Sequence, residues 1–254
     1  DAVAYDFREV APGKASATMF MKDGKYSAEI HHNSHLAVGV PGTVAGLNLA
    51  WKEQGKLPWK RLVDPAVALA RDGFTVTEGL SRSLKNALRT TDTNGRPVYS
   101  MAKFPASVAA FSRNGVPYEP GDTLKQPDLA RTLERIATQG PAGFYEGETA
   151  LALEKEMLAN GGLITREDLK KYAAKTRVPV KGTYRGYEVF SMPPPSSGGI
   201  GVIEMLNILE GYDLAKMGPG SANAVHLMTE AMKRSYADRA RYLGDPDFNR
   251  DLPV

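Results

Sequence analysis

The chain has 254 residues, 42% hydrophobic and 24% charged, and a net charge of +3. That places it among ordinary globular chains, long enough to bury a sizeable core as one large domain or two small ones. Basic and acidic residues are interleaved, as in Thr165-Arg166-Glu167-Asp168-Leu169-Lys170-Lys171, so there is no basic stripe of the kind that selects nucleic acid. Cysteine is absent, which excludes disulfides, thiolate nucleophiles and thiolate metal sites, and no apolar run approaches the ~20 residues that span a bilayer.

The chain opens at Asp1-Ala2-Val3-Ala4-Tyr5-Asp6-Phe7 with no signal-peptide pattern and with strand-like residues already running. The expectation is a start inside a larger protein, with any targeting segment upstream. Weak alternation predicts a strand over 2–7 and a second over Ala17–Met21, turning at Asp23-Gly24. Thr43 is placed to cap a helix that stops near Gly55, and Asp64-Pro65 to start another that ends at Gly73. Thr77 reads as an N-cap for the stripe Leu80, Leu84 and Leu88. Turns follow at Asn94-Gly95, Asn114-Gly115 and Pro120-Gly121. Leu129, Leu133 and Ile136 mark a helix closed by Gly140, and a further helix covers about 147–159. Thr165 to Asp168 reads as a capping-box variant.

After residue 172 the period changes. Strands are expected over 178–183 and 187–191 around a turn at Arg185-Gly186, with Pro179 at a strand edge or start. The stiff run Pro193-Pro194-Pro195-Ser196-Ser197-Gly198-Gly199 leads into an apolar helix, and Ser221 caps a long last helix ending near Leu243. With strands near both ends and a mostly helical stretch from 43 to 172, the fold class is α+β.

HExxH, P-loop, GxSxG and GxGxxG signatures are all missing. Three segments are left as candidates. His31 and His35 stand four apart, but the segment does not read as helical and has no acid at ligand spacing, so it reads as a loop with incidental histidines. The loop from Pro193 to Gly199 either offers free N–H groups to an anion or is a strand-to-helix turn whose glycines admit another segment closely. In Asp6-Phe7-Arg8-Glu9, Arg8 carries a planar fork suited to a carboxylate, with Asp6 or Glu9 placed to hold it; the alternative is a surface ion-pair cluster.

The chain resembles the γ-glutamyltranspeptidases. The likeness rests on Asp6-Phe7-Arg8-Glu9 with Ala11-Pro12, on Ser34-His35-Leu36, and on Pro41-Gly42-Thr43-Val44-Ala45-Gly46. It continues through Leu69-Ala70-Arg71-Asp72-Gly73-Phe74, Gly121-Asp122-Thr123-Leu124, Asn160-Gly161-Gly162-Leu163-Ile164-Thr165 and Tyr184-Arg185-Gly186-Tyr187. Met192 to Gly199 and Tyr236-Ala237-Asp238-Arg239 through Leu243-Gly244-Asp245-Pro246 complete it. The resemblance implies part of an N-terminal-nucleophile hydrolase αββα sandwich, with 1–254 as a single helix-rich large-subunit fragment. It implies a precursor that cleaves itself, and a small-subunit partner whose first residue, Thr, is the nucleophile and whose own α-amine is the base. It also implies a γ-glutamyl substrate such as glutathione, whose α-carboxylate is bound by Arg8, and no cofactor or metal.

No segment here matches the Thr-Thr-His-type nucleophile motif, and Thr90-Thr91-Asp92 is not that motif. The expectation is therefore that no catalytic residue lies in this chain, that it is inactive alone, and that the small subunit and the N-terminal portion lie outside it. A related acylase acting on another amide, of the cephalosporin or poly-γ-glutamate type, and a non-catalytic helical binding module are the alternative readings. The resemblance places the protein in the periplasm or outside the cell.

Overall fold

The computed structural model describes residues 2–98 and 100–253; residues 1, 99 and 254 of the expected 1–254 fragment lie outside them. The chain forms two compact units, one of Phe7–Ala174 and one of Asp1–Asp6 with Lys175–Val254. The architecture is α+β and helix-rich, and the strands pair in antiparallel two-stranded sheets.

In the unit Phe7–Ala174, the helices Trp59–Asp72 and Pro127–Gln139 pack together; their buried residues are Val67, Ala70, Ala130, Ile136 and Ala137. Trp59 Nε1 donates to the Ile136 carbonyl at 2.8 Å, which satisfies the indole N–H where the helices meet. A separate core gathers Val40, Tyr145, Ala150, Met157, Ile164 and Leu169, with Val44, Ala45, Phe144, Leu153 and Tyr172 packed on it. It joins the helices Ala142–Tyr145, Gly147–Ala159 and Arg166–Lys171 to the segment before the helix Thr43–Gln54.

In the other unit, Ala4–Asp6 pairs with Lys175–Arg177, and Val180–Tyr184 pairs with Tyr187–Ser191. The second hairpin turns at Arg185 and Gly186, at φ 49° and 84°, both left-handed as a two-residue turn needs. The helix Gly198–Glu210 packs on Val180–Tyr184 and on the helix Ala222–Tyr242, which Ser221 caps.

Some sequence expectations require correction. Residues 17–20 form turns, and the first hairpin lies at Met21–Lys22 and Lys25–Tyr26, around the expected Asp23-Gly24. Thr43 is the first helical residue and Gly42 the N-cap, because the Gly42 carbonyl already accepts from the Gly46 N–H at 3.0 Å. The helix read as starting at Asp64-Pro65 begins at Trp59 and carries Pro65 inside; the bond from the Trp59 indole to the Ile136 carbonyl, remote in sequence, anchors its first residue. The strand expected over 178–183 runs from Val180 to Tyr184, starting directly after Pro179, whose missing N–H cannot join a ladder, while Lys175–Arg177 forms a separate strand paired with Ala4–Asp6. The Thr77 cap, the Leu80–Leu88 helix and the turn at Asn114-Gly115 stand where the sequence puts them.

The capping box is also where the sequence puts it. Asp168 Oδ2 accepts from Thr165 Oγ1 at 2.6 Å and from the Thr165 N–H at 2.8 Å, while Oδ1 accepts from the Gly13 N–H at 2.7 Å. Burial pushes the Asp168 carboxyl up, but the bonds from Thr165 and Gly13 outweigh it and hold the group below its ordinary value. A depressed folded value means that the stabilisation is complete above the unfolded value of about 3.9 and is lost as pH falls through the folded one. Asp168→Asn is therefore expected to lower the thermal midpoint at neutral pH and to flatten its decline on the acid side, measured by thermal unfolding from about pH 7 down to about pH 2.

Candidate functional site

Arg8 lies two residues past the strand Ala4–Asp6, in the unit Phe7–Ala174. The backbone on either side of it is held in three ways. Val10 and Val40 bridge antiparallel, with N–H···O distances of 3.3 and 2.8 Å in the two directions. Phe7 lies against the start of the helix Thr43–Gln54, where a β-carbon on Gly46 would stand 2.1–2.2 Å from its side chain. The Arg8 carbonyl accepts from Tyr172 Oη at 2.7 Å.

Gly42 is where these restraints converge. A β-carbon there would stand 1.9 Å from Tyr172 Oη and 2.1 Å from the Phe7 carbonyl oxygen. Its φ is −112°, open to any residue, so glycine is needed here for space and not for backbone conformation. Tyr145 fastens the same segment from the other side: its hydroxyl donates to the Pro41 carbonyl at 2.8 Å and accepts from the Ala45 N–H at 3.3 Å. The two tyrosine rings are parallel, 5.8 Å apart. Burial pushes the Tyr145 hydroxyl pKa up, which keeps it a neutral donor.

The Arg8 side chain is 57% exposed, and its Nε stands 3.6 Å from Glu9 Oε1. Of the two acids expected beside the fork, Glu9 makes this contact, an exposed ion pair of the kind the surface-cluster alternative also describes. Asp6 has another partner, remote in sequence: Arg177 Nε donates to Asp6 Oδ2 at 2.6 Å, from the strand paired with its own. Arg177 also donates to Asp247 Oδ2 at 2.9 Å, and with Lys175 it holds the Asp247 carboxyl below its ordinary value. An Asp-Phe-Arg-Glu run puts acids beside Arg8, but the strand partner that claims Asp6 cannot be read from it.

The histidine segment is helical, contrary to the sequence reading. Ser27 Oγ accepts from the Ile30 N–H at 3.3 Å and caps Ala28–Asn33, and Asn33 Nδ2 donates to Glu29 at 2.6 Å. Ser34, with φ −130° and ψ 164°, breaks the helix, and His35 starts a separate 3-10 turn. His31 and His35 therefore do not share a helix face. Tyr26 Oη lies 2.6 Å from His31 Nδ1, and His35 Nε2 lies 3.2 Å from Glu156 Oε1. Among the described residues, no group of three or more His, Cys, Asp or Glu is placed to share a metal ion.

In the loop from Pro193 to Gly199, a β-carbon on Gly199 would stand 2.4 Å from the Met192 carbonyl oxygen, so the glycine admits a close approach. Ser197 Oγ accepts from Arg239 Nε at 2.8 Å, across a hollow of about 340 Å³ bordered by Val202, Met205 and Tyr236. Beside it, burial and the neighbouring Asp238 push the Glu204 carboxyl up. Neither the Asp6–Arg177–Asp247 network nor the two tyrosines carry a sequence signal, since each joins residues far apart in the chain.

A family model described as Gamma-glutamyltranspeptidase matches residues 1–254. Over 246 residues the chain is 50% identical to the glutathione hydrolase proenzyme of Escherichia coli strain K12, which covers 96% of this chain and 41% of that protein. It is 42% identical over 259 residues to the acylase ACY 1 proenzyme of Pseudomonas sp. strain SE83, covering 99% of this chain and 44% of that one. The crystal structure of Helicobacter pylori gamma-glutamyltranspeptidase superposes with a TM-score of 0.90 at 42% identity, over 99% of this chain and 69% of that chain. The chain thus spans about two fifths of the length of the curated relatives it matches.

Gly42→Ala is expected to destabilise the unit by about 1–3 kcal/mol, because an overpacked site must move Tyr172 or Phe7. Gly79→Ala should have the opposite sign, by about 0.5–1 kcal/mol: its β-carbon would meet nothing nearer than Thr77 Oγ1 at 3.9 Å, inside the helix Glu78–Leu88. Denaturant unfolding of the two variants checks both.

Proposed function

Because the chain belongs to the gamma-glutamyltranspeptidase family, we propose that residues 1–254 are large-subunit sequence of an enzyme that hydrolyses glutathione and related γ-glutamyl amides or transfers their γ-glutamyl group. The observation that carries this reading is Arg8: an exposed guanidinium on a backbone fastened at Phe7, Arg8 and Val10. Such a fork takes the substrate's α-carboxylate through two parallel charge-assisted hydrogen bonds, and so sets where the γ-carbonyl stands.

The nucleophile is the N-terminal Thr of a small subunit cut from the same precursor. Its hydroxyl oxygen adds to the γ-carbonyl carbon, and its α-amine takes the hydroxyl proton and passes it to the departing amine as the C–N bond breaks. Water then cleaves the resulting ester, releasing the γ-glutamyl group as the acid and returning a proton to the Thr oxygen; an acceptor amine in place of water gives transfer. No cofactor or metal enters this reading. The word proenzyme in the relatives' names and the two-fifths coverage support a precursor longer than this chain. So does the helix Ala222–Tyr242, where Val225, Met228, Met232 and Tyr236 are each 44–59% exposed along one stripe; the small subunit covers that stripe.

By the same resemblance the protein works in the periplasm or outside the cell, and no helix among the described residues is long and apolar enough to cross a membrane. A second reading, an acylase with another amide substrate, is favoured by the acylase ACY 1 proenzyme among the relatives.

In the full-length protein, Arg8→Lys is expected to lower kcat/KM for a γ-glutamyl anilide by about tenfold to a hundredfold, since an ammonium cannot reproduce the planar fork. The loss should shrink for the α-carboxamide analogue, and precursor cleavage should be unaffected. Wild-type rates on both substrates would remove Arg8 from the site. An enzyme that prefers the carboxamide would support the acylase reading. The purified 254-residue chain alone should turn over no γ-glutamyl anilide, with activity appearing when the rest of the precursor is co-expressed; turnover by the chain alone would place a nucleophile within it.

A further inference from the structure

We infer that Tyr172 is the positioning residue for Arg8, setting the backbone from which the guanidinium reaches the substrate's carboxylate. The inference rests on the reading of Arg8 given above. Of the restraints described above, the Val10–Val40 bridge and the Phe7 packing act on the neighbours of Arg8, whereas the 2.7 Å bond from Tyr172 Oη acts on the Arg8 carbonyl itself. One hydrogen bond at that carbonyl limits rotation of the peptide plane that follows Arg8, and with it the direction of the side chain.

Tyr172 itself has a fixed base. It is the C-cap residue of the helix Arg166–Lys171, and its N–H donates to the Leu169 carbonyl at 3.2 Å. Leu169 and Ile164 are among the most buried side chains of the core, so the helix cannot shift without opening it. The ring is parallel to that of Tyr145, which fastens Pro41 and Ala45 on either side of Gly42. The missing side chain at Gly42 leaves the space that the Tyr172 hydroxyl fills. The same helix reaches the far side of the arginine segment through the bond from the Gly13 N–H to Asp168.

A tyrosine that merely filled the core would act on every substrate alike. One that aims Arg8 acts on substrates that carry the α-carboxylate. The test uses the full-length enzyme with Tyr172→Phe, which keeps the ring and removes the donor. Kinetics on a γ-glutamyl anilide and on its α-carboxamide should show a fall in kcat/KM of about fivefold to tenfold, carried mainly by KM, for the first and a change of less than about twofold for the second. Combined with Arg8→Lys, the losses should be less than multiplicative, because both changes weaken one interaction.

Equal losses on the two substrates, or wild-type behaviour on both while Arg8→Lys is impaired, would overturn the role of Tyr172. If Arg8→Lys is itself silent, it is the reading of Arg8 that fails. Should Tyr172→Phe not give folded enzyme, 4-fluorophenylalanine at the same position fills the hydroxyl's volume without donating, and the same two-substrate comparison decides.

Discussion

The hydroxyl of Tyr172 and the β-carbon that Gly42 lacks compete for the same space, and much of the unit Phe7–Ala174 is arranged around that vacancy. With glycine at 42, the backbone of Phe7 and Arg8 comes down on the start of the helix Thr43–Gln54, and Tyr172 reaches across to the Arg8 carbonyl. Tyr145, parallel to Tyr172, ties both sides of the glycine to the core of Val40, Met157, Ile164 and Leu169. Each of these hydrogen bonds contributes little alone, about 1 kcal/mol. Together they leave a surface arginine on a backbone with little freedom, which is what the carboxylate recognition proposed for Arg8 would require. A long exposed side chain on a mobile loop would lose that advantage to the entropy of ordering it.

The other unit is organised by charge. Arg177, only 16% exposed, stands between Asp6 and Asp247, and Asp6 is about equally hidden. A pair so far removed from water depends on having both partners; deleting one leaves an uncompensated charge, which costs more than the pair itself contributes. The paired strands Ala4–Asp6 and Lys175–Arg177 supply the two ends of this contact, so it binds residues near the start of the chain to residues near its end. Exposed apolar residues on the helix Ala222–Tyr242 belong to the same unit, and on the reading above they are covered by polypeptide outside this chain.

Many helix caps and turns were legible because they depend on local chemistry. Thr77, Thr165 and Ser221 each accept from a backbone N–H three residues on, and Asn114-Gly115 and Arg185-Gly186 turn with left-handed φ. Local chemistry misled where packing overrode it. Pro65 looked like a first-turn proline, yet the helix runs back to Trp59, whose indole bonds to the Ile136 carbonyl 77 residues away. The histidine segment looked irregular, yet Ser27 and the Glu29–Asn33 bond complete a short helix.

From its residues alone the sequence specifies the α+β class, most caps and turns, the absence of cysteine chemistry, and the motif runs that tie Arg8 to a family. Those features are read over a few residues, because caps, turns and periodicity are set by near neighbours in the chain. The tertiary structure decided what each side chain meets: that Asp6 serves Arg177, that Gly42 is needed for space at an ordinary φ, and that two tyrosines 27 positions apart fasten the arginine segment. Hydrogen bonds and close contacts between residues remote in sequence have no local signature, since their partners are brought together only when the core of Val40, Tyr145, Ile164 and Leu169 closes.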